Sequence, residues 1–250
     1  ATRATPLTTH HSPLTLMLYY LIGFWATELE RAGLGSVADL FRSIMFRAAA
    51  ASLTGFLLCV LLGPRAIKWL GSRWRERVGN DSARLTEMQQ AKRDTPTMGG
   101  AFVLAALVAA TLLWANVLNP FVFLGLVVAI GLGSLGAVDD LTKLTGKRRG
   151  LTEREKLFGQ VALGLAVGLS LFWITRGTEF GTKLVIPIWA VYVSLGWLVV
   201  PWVALVITGS SNGVNLTDGL DGLAGGCLIF AGGAVGLLDY IGGHARLAEH

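Results

Sequence analysis

The sequence predicts an all-α fold, a polytopic bundle of transmembrane helices with about six membrane spans. Of the 250 residues, 53% are hydrophobic and only 15% are charged, whereas an ordinary globular chain has roughly a quarter charged residues. The mean hydropathy is +0.58, and the apolar residues are gathered in long runs. Because one span takes about 20 apolar residues, six spans leave room only for short loops. This composition excludes a soluble enzyme, a disordered tail and a disulfide-stapled secreted module.

Six apolar runs predict the membrane-spanning helices, in order along the chain. They are residues 44–63, 99–118, 121–138, 157–175, 185–208 and 219–241, the last of which is richer in glycine. An earlier run at residues 14–26, which carries Trp25, is too short to span and predicts a helix lying in the membrane interface. The Gly-x-x-x-Gly patterns at residues 164–168 and 232–236 predict close packing between helices.

Lysine and arginine are distributed unequally between the predicted loops. Residues 64–98 contain eight of them and residues 139–156 contain six, whereas residues 176–183 contain two. Because cytoplasmic loops carry the excess of positive charge, the first two segments and residues 209–219 are predicted to be cytoplasmic, with both termini outside. Residues 1–43 then form an extracytoplasmic or interfacial segment, and residues 44–250 form the membrane domain. The net charge of +5 follows from these loops and gives no support for nucleic-acid binding.

Asp139 and Asp140 follow the third predicted span. Two adjacent carboxylates at the C-terminal end of a helix lie at the negative pole of its dipole and need a compensating cation. Lys143, one turn further on, supplies part of that charge, and a divalent metal would supply more. Mg²⁺ is suited to this role because it binds one or two protein carboxylates together with phosphate oxygens of a substrate. The alternative is a solvated helix end that is simply acidic.

A second polar motif follows the fifth predicted span. Asn212, Asn215, Asp218 and Asp221 recur at every third residue and are interspersed with glycines. If the segment is helical, much of this polar ladder shares one face, and the glycines let a ligand approach the backbone. The alternative is a set of Asx turns in which Asp218 caps the sixth helix.

The segment at residues 95–100 leads into the second predicted span, either as part of a ligand site or as a plain helix start with Pro96 in its first turn. Lys92 and Arg93 before it could bind a phosphate or anionic lipid heads.

All these motifs fall on the predicted cytoplasmic side. The second to fifth predicted spans contain no ionisable Asp, Glu, Lys, Arg or His. This argues against a transporter, which places such groups near the bilayer midplane, and favours an enzyme acting at the interface.

Three segments together carry a resemblance to a known family. They are TPTMGG at residues 95–100, the Asp139-Asp140 pair with Lys143, and NGVNLTDGLDGLA at residues 212–224. They resemble the phospho-N-acetylmuramoyl-pentapeptide transferases, a family within the polyprenyl-phosphate N-acetylhexosamine-1-phosphate transferases. The resemblance, including the pattern of spans, covers residues 43–240.

The resemblance implies a reaction and a location. A phospho-N-acetylmuramoyl-pentapeptide group would pass from its UDP-activated form to undecaprenyl phosphate, giving lipid I and UMP, with Mg²⁺ as cofactor. The chain would then be a multi-pass protein of the bacterial cytoplasmic (inner) membrane with its active site on the cytoplasmic side. Membrane lipid surrounds such a protein, and the family makes a homodimer plausible. The process served is peptidoglycan synthesis, and through it cell wall biogenesis, cell shape and cell division.

The resemblance also implies roles for individual residues. Asp139, Asp140 and Asp218 are the implied catalytic residues, and Asp139 and Asp140 are the implied metal ligands. Two roles stay open for Asp139, a base that activates the lipid phosphate and a covalent nucleophile. The implied substrate-binding residues are Lys92, Thr97, Lys143, Lys156, Asn212, Asn215, Gly219, Leu220 and Asp221, the last three lining a uridine pocket.

Two features depart from the family pattern. Asp94 stands before Thr95 where glycine is usual. Complete members of the family have about ten spans, and their further portion carries another metal-binding aspartate, an aromatic residue that stacks on uracil and a histidine-rich loop. We therefore expect an incomplete site and little or no activity from these 250 residues alone. The alternatives are a related UDP-N-acetylglucosamine:polyprenyl-phosphate phosphotransferase and a non-catalytic, truncated membrane protein.

Overall fold

A computed structural model of the chain describes residues 25, 27–73, 98–144, 150–178, 181–186, 191–218 and 222–248. The chain forms two compact units, Ala1–Glu153 and Arg154–His250. The described residues are mainly helical, as predicted, with one short β-hairpin. Within them, four helices are long and apolar enough to cross a membrane: Ile44–Ser72, Pro120–Leu144, Glu153–Thr175 and Gly196–Thr217. The apolar helices Gly99–Trp114 and Leu223–Leu238 are shorter.

The first unit contains helical residues at 25 and 27–31, followed by α1 (Gly35–Arg42), α2 (Ile44–Arg73), α3 (Gly99–Trp114) and α4 (Pro120–Leu144). Helices α2 and α3 pack through small residues, since a Cβ added to Gly55 would lie 3.7 Å from the Cβ of Ala110. Near the end of α3, the indole nitrogen of Trp114 donates a hydrogen bond to Thr54 Oγ1 at 2.9 Å. Small residues and a polar bridge are the means by which helices associate in lipid, where apolar burial gives little driving force.

Helix α3 ends earlier than the apolar pattern predicts. The predicted second span, 99–118, is wrong at its end because Ala115 is extended and closes the helix after Trp114. In the connection that follows, Asn116 Oδ1 accepts the Leu118 N–H at 3.0 Å. Asn119 Oδ1 accepts the Phe121 N–H at 2.9 Å and so caps α4, whose first residue is proline. Because Val117 and Leu118 are apolar, the sequence pattern did not indicate this turn.

Helix α4 continues beyond the predicted third span, 121–138, to Leu144. Asp139, Asp140 and Lys143 therefore lie in its last two turns and not after its end. In the same way α2 continues through Pro64 to Arg73, so that part of the predicted loop 64–98 is helical. The predicted interfacial helix at residues 14–26 lies outside the described residues, Trp25 apart.

The second unit contains α5 (Glu153–Thr175), β1 (Lys183–Ile186), β2 (Val191–Ser194), a 3₁₀ turn (Gly196–Leu198), α6 (Val199–Thr217) and α7 (Leu223–Ala248). Strands β1 and β2 are antiparallel, with Lys183 opposite Ser194 and Ile186 opposite Val191. The predicted fifth span, 185–208, is therefore wrong in its first half. Apolarity alone does not separate a strand from a buried helix, but the β-branched residues of this stretch favour a strand. Helix α6 also runs further than predicted, to Thr217.

Helices α5 and α6 meet along a row of residues spaced four apart on α5, which we call the glycine seam. A Cβ added to Gly164 would lie 2.7 Å from Ala204 Cα, and one added to Gly168 would lie 2.7 Å from the Val200 carbonyl oxygen. The predicted close packing at residues 164–168 is thereby confirmed. At Gly232 and Gly236 no described atom comes within 4 Å of an added Cβ. The seam comprises Gln160, Gly164, Gly168 and Phe172 on α5, opposite Asn212, Ala204, Val200 and Trp197.

Candidate functional site

The carboxylate of Asp139 is buried, and both of its oxygens have partners. Its Oδ2 lies 2.8 Å from the ammonium nitrogen of Lys143. Its Oδ1 accepts a hydrogen bond of 2.8 Å from the backbone N–H of Leu151. The side chain is only 8% exposed, and a buried charge is tolerated when it is paired and hydrogen-bonded in this way. Asp139 is therefore held in one orientation at the end of α4.

Asp140 and Lys143 form the exposed part of the same cluster. The Lys143 ammonium lies 3.4 Å from Asp140 Oδ1, so it is placed between two carboxylates. The side chains of Lys143 and Asp140 are 39% and 37% exposed. The Asp140 carboxylate and the Lys143 ammonium are thus partly exposed to solvent, while the buried Asp139 holds the ammonium through its ion pair.

The position of the cluster in α4 explains why it needs positive charge. Both aspartates lie in the last two turns of the helix, where unpaired carbonyl groups make the dipole negative. Lys143 compensates this field from the turn that follows, as the sequence predicts, because residues three and four apart share a helix face. The predicted role of Lys143 as a charge partner is confirmed.

Sequence reasoning missed two members of this cluster, Gly150 and Leu151. They lie far enough along the chain that no helical spacing relates them to Asp139. The available signal was a glycine directly after the basic residues 147–149 and shortly before the start of α5 at Glu153. Gly150 is buried and has a φ of +109°, a backbone conformation that side-chain-bearing residues rarely adopt.

A separate polar group lies in the second unit, at the end of the glycine seam. Asn212 Nδ2 donates hydrogen bonds to Gln160 Oε1 at 2.8 Å and to the Thr208 carbonyl oxygen at 2.9 Å. Gln160 Nε2 donates in turn to Ser211 Oγ at 3.1 Å. Gln160 is buried, and sequence reasoning missed it because a single glutamine in an apolar run gave no pattern. Asn212 therefore joins α6 to α5 through Gln160, and its second hydrogen bond stays within α6.

The polar ladder predicted at residues 212–221 is only partly on one face. Asn212 and Asn215 lie on α6, while Asp218 directly follows its last residue and its N–H donates to the Val214 carbonyl at 3.0 Å. With 3.6 residues per turn, each step of three shifts the side chain by about 60°. Asn212 consequently faces α5, whereas Asn215 and Asp218 are exposed. Like the Asp139 pair, Asp218 is a carboxylate at the negative end of a helix.

The remaining predicted residues are placed as follows. Lys156 lies in the first turn of α5 and is half-buried. Lys92, Thr97, Gly219, Leu220 and Asp221 lie outside the described residues, so their predicted roles stay predictions. Among the residues that the structure describes, no group of three or more His, Cys, Asp or Glu side chains could hold a metal. The first unit brings Asp139, Asp140 and Lys143 together. The second unit carries the two asparagines on α6 and Asp218 directly after it.

The membrane-length helices define a helical membrane protein, and one of these helices ends in a carboxylate–ammonium cluster that is partly open to solvent. The chain belongs to glycosyl transferase family 4, whose sequence profile matches residues 121–250. The matched part includes α4 with its acidic pair and the whole of the second unit. The family resemblance stated from the sequence is confirmed.

Bacterial relatives are similar over most of the chain. It is 40% identical over 237 residues to the phospho-N-acetylmuramoyl-pentapeptide-transferase of Geobacter sp. (strain M21), which covers 94% of this chain and 63% of the relative. The proteins of the same name from Nitratidesulfovibrio vulgaris (strain DP4) and Koribacter versatilis are 39% and 37% identical, over 94% and 84% of this chain and 63% and 60% of their own length. The chain spans less than two thirds of the length of these relatives.

Proposed function

We propose that this protein transfers phospho-N-acetylmuramoyl-pentapeptide from its UDP-activated form to undecaprenyl phosphate, giving lipid I and UMP. This is the first membrane step of peptidoglycan synthesis in the bacterial cytoplasmic membrane. The observation that carries the proposal is the Asp139–Asp140–Lys143 cluster at the end of a membrane-length helix. It occurs in a chain 40% identical to a protein named for this activity.

The chemistry of the cluster suits phosphoryl transfer. The transferred group carries its charge on phosphate oxygens, so catalysis depends mostly on positioning and on neutralising that charge. Lys143 is partly exposed and is held between two carboxylates, which fixes an ammonium group where a diphosphate oxygen could accept its hydrogen bond. Asp139 is rigidly held beside it, and we assign to it the activation of the lipid phosphate.

The donor set of the cluster fits Mg²⁺. This ion favours one or two protein carboxylates and completes its shell with water and substrate phosphates, and Asp139 and Asp140 are adjacent carboxylates of which Asp140 is open to solvent. We therefore propose Asp140 as the principal protein ligand, with Asp139 next to it. When bound, the ion would supply charge neutralisation at the diphosphate.

The residues of the second unit and the flanking segments are proposed to bind the nucleotide sugar. Asn215 and Asp218 are exposed at the end of α6, where a polar ligand can reach them from water. Gly219, Leu220 and Asp221 follow directly and are proposed for the uridine. Lys92, Thr97 and Lys156 are proposed to contact the nucleotide sugar and its phosphates. Asn212, whose amide donors are engaged with Gln160 and Thr208, would support this region more than touch the ligand.

The test is a transfer assay with the protein expressed from its complete gene. Purified protein in detergent is given undecaprenyl phosphate, Mg²⁺ and either UDP-N-acetylmuramoyl-pentapeptide or UDP-N-acetylglucosamine, and UMP release and the lipid product are measured. We expect lipid I from the first donor only and loss of the product in Asp139→Asn. Product from the second donor alone would instead assign the related phosphotransferase. Release of UMP from neither donor would contradict an enzymatic role.

A further inference from the structure

The turn at Gly150 and Leu151 closes directly over the acidic cluster. A Cβ built on Gly150 would lie 2.7 Å from Asp139 Oδ1 and 3.0 Å from Lys143 Cε. Distances this short cannot be relieved by rotating the new side chain, because a Cβ has no freedom of its own. With a φ of +109°, the position also disfavours every residue except glycine. The space taken up by Asp139 and Lys143 exists because residue 150 has no side chain.

The same turn also supplies a hydrogen-bond donor. The N–H of Leu151 points at Asp139 Oδ1, the oxygen that an added Cβ on Gly150 would meet, and donates to it at 2.8 Å. The other oxygen, Oδ2, is 2.8 Å from the Lys143 ammonium. One oxygen of Asp139 is thus oriented by the turn and the other orients the lysine. Movement of the turn would be passed through Asp139 to Lys143.

We propose that Gly150 is a positioning residue for the transfer reaction, acting through Asp139. Its missing side chain lets the Leu151 N–H approach the carboxylate, and that hydrogen bond sets the orientation of Asp139 and of the Lys143 ammonium paired with it. The inference rests on the proposed function of the cluster. It adds to that function a residue without chemistry of its own, on a segment separate from the helix that carries the acids.

The decisive measurement is the turnover of Gly150→Ala in the protein expressed from its complete gene. A shift of the reacting groups by about 1 Å can lower a rate by about 100-fold. We therefore expect kcat to fall by about 10- to 100-fold while the KM for the UDP-sugar changes by less than a factor of about 3. Rates are normalised to the folded, monodisperse protein in detergent, so that loss of folded material is not counted as loss of turnover.

Two glycines in the first unit serve as matched controls. Gly33 has a φ of +80° but no described atom within 4 Å of an added Cβ. Gly136 lies on α4 itself, and no described atom comes within 4 Å of its added Cβ either. Gly33→Ala introduces backbone strain without the contact, and Gly136→Ala adds a methyl group to the same helix. We expect kcat in both to stay within a factor of about 2 of the wild-type value, since neither approaches the cluster.

A second measurement keeps the proposal testable if Gly150→Ala does not fold. Hydrogen–deuterium exchange of the Leu151 amide is compared in the wild-type protein and in Asp139→Ala, which removes the acceptor. Faster exchange in the variant supports the hydrogen bond between the Leu151 amide and Asp139, and unchanged exchange contradicts the proposal. Equal kcat in Gly150→Ala and wild type would also overturn the proposal. If the wild-type protein itself makes no lipid product, the proposed function fails, which is a different outcome from an active Gly150→Ala.

Discussion

Asp139 and Lys143 form an ion pair of 2.8 Å across one turn of α4, and the two partners differ sharply in exposure. The carboxylate is 8% exposed and the lysine side chain 39%. The ion pair therefore has one partner in the protein interior and one at the solvent-facing surface. Substituting the buried partner and substituting the exposed partner should consequently have different effects on stability and activity.

Replacing Lys143 with methionine leaves the buried Asp139 carboxylate without its cation. We expect a loss of about 1–3 kcal/mol in the free energy of unfolding, the cost of leaving a buried polar group unsatisfied. Turnover should fall by about 100-fold or more, as when one donor that stabilises developing charge is removed. Thermal unfolding in detergent and the UMP-release assay measure the two effects. Lys68→Met, at an exposed position on α2, is the control, and an equal loss in both variants would refute the pairing argument.

A magnesium titration should distinguish the roles of Asp139 and Asp140. Asp140→Asn removes the open carboxylate, so we expect the Mg²⁺ concentration for half-maximal activity to rise by about 10-fold or more, a size typical of disturbed metal sites. Its unfolding temperature should stay near the wild-type value, since Asp140 is partly exposed. Asp139→Asn should lower the unfolding temperature as well as turnover, because it breaks a buried ion pair. The reverse pattern would exchange the roles assigned to the two carboxylates.

The hydrogen bond between Gln160 and Asn212 should stabilise the second unit. Interhelical hydrogen bonds in membranes are worth about 0.6–2 kcal/mol, so Gln160→Leu and Asn212→Leu should each destabilise by an amount of this size. In the double variant the second substitution should cost less than it does alone, because the shared bond is already lost. Ser170→Ala is a suitable control, since the hydroxyl of Ser170 donates a hydrogen bond within its own helix, to the Ala166 carbonyl. Strictly additive effects would show that the two amides are not coupled.

The two glycines of the glycine seam, Gly164 and Gly168, should tolerate no side chain. In Gly164→Val the new Cβ meets the backbone of α6 at Ala204, which cannot rotate away, so we expect destabilisation of at least about 1–3 kcal/mol, as found for overpacked cores. Gly232→Val carries the same substitution on α7, where no described atom lies within 4 Å, and should be close to neutral. The comparison is made by thermal unfolding in the same detergent. Equal stability of the two variants would mean that α5 and α6 do not pack through this seam.

The sequence predicted what depends on local spacing. Lys143 lies one turn from Asp139, and Gly164 and Gly168 lie on one face of their helix, so helical geometry alone relates them. The general run of spans follows in the same way from apolar length. The strands Lys183–Ile186 and Val191–Ser194 were not predicted, because their residues are largely apolar like those of the helix that they precede.

The contacts that the sequence did not predict join residues that are distant along the chain. Gly150 and Leu151 contact Asp139 from beyond the end of α4, and no helical periodicity relates them to it. Gln160 meets Asn212 across two antiparallel helices. Gly150 and Gln160 carry no charge and belong to no recurring pattern, so the sequence did not mark them as candidate site residues.

The glycine seam also limits how the second unit can move. Where Gly164 and Gly168 meet α6, they approach the backbone of Ala204 and Val200, and a backbone contact cannot absorb a small displacement by a change of rotamer. Relative movement would have to be a slide of one whole helix along the other, and a slide of one turn, about 5.4 Å, would pull Gln160 away from Asn212. Helices α5 and α6 should therefore move as one rigid body, with a single register of packing between them. Any movement within the second unit would then have to take place outside this helix pair.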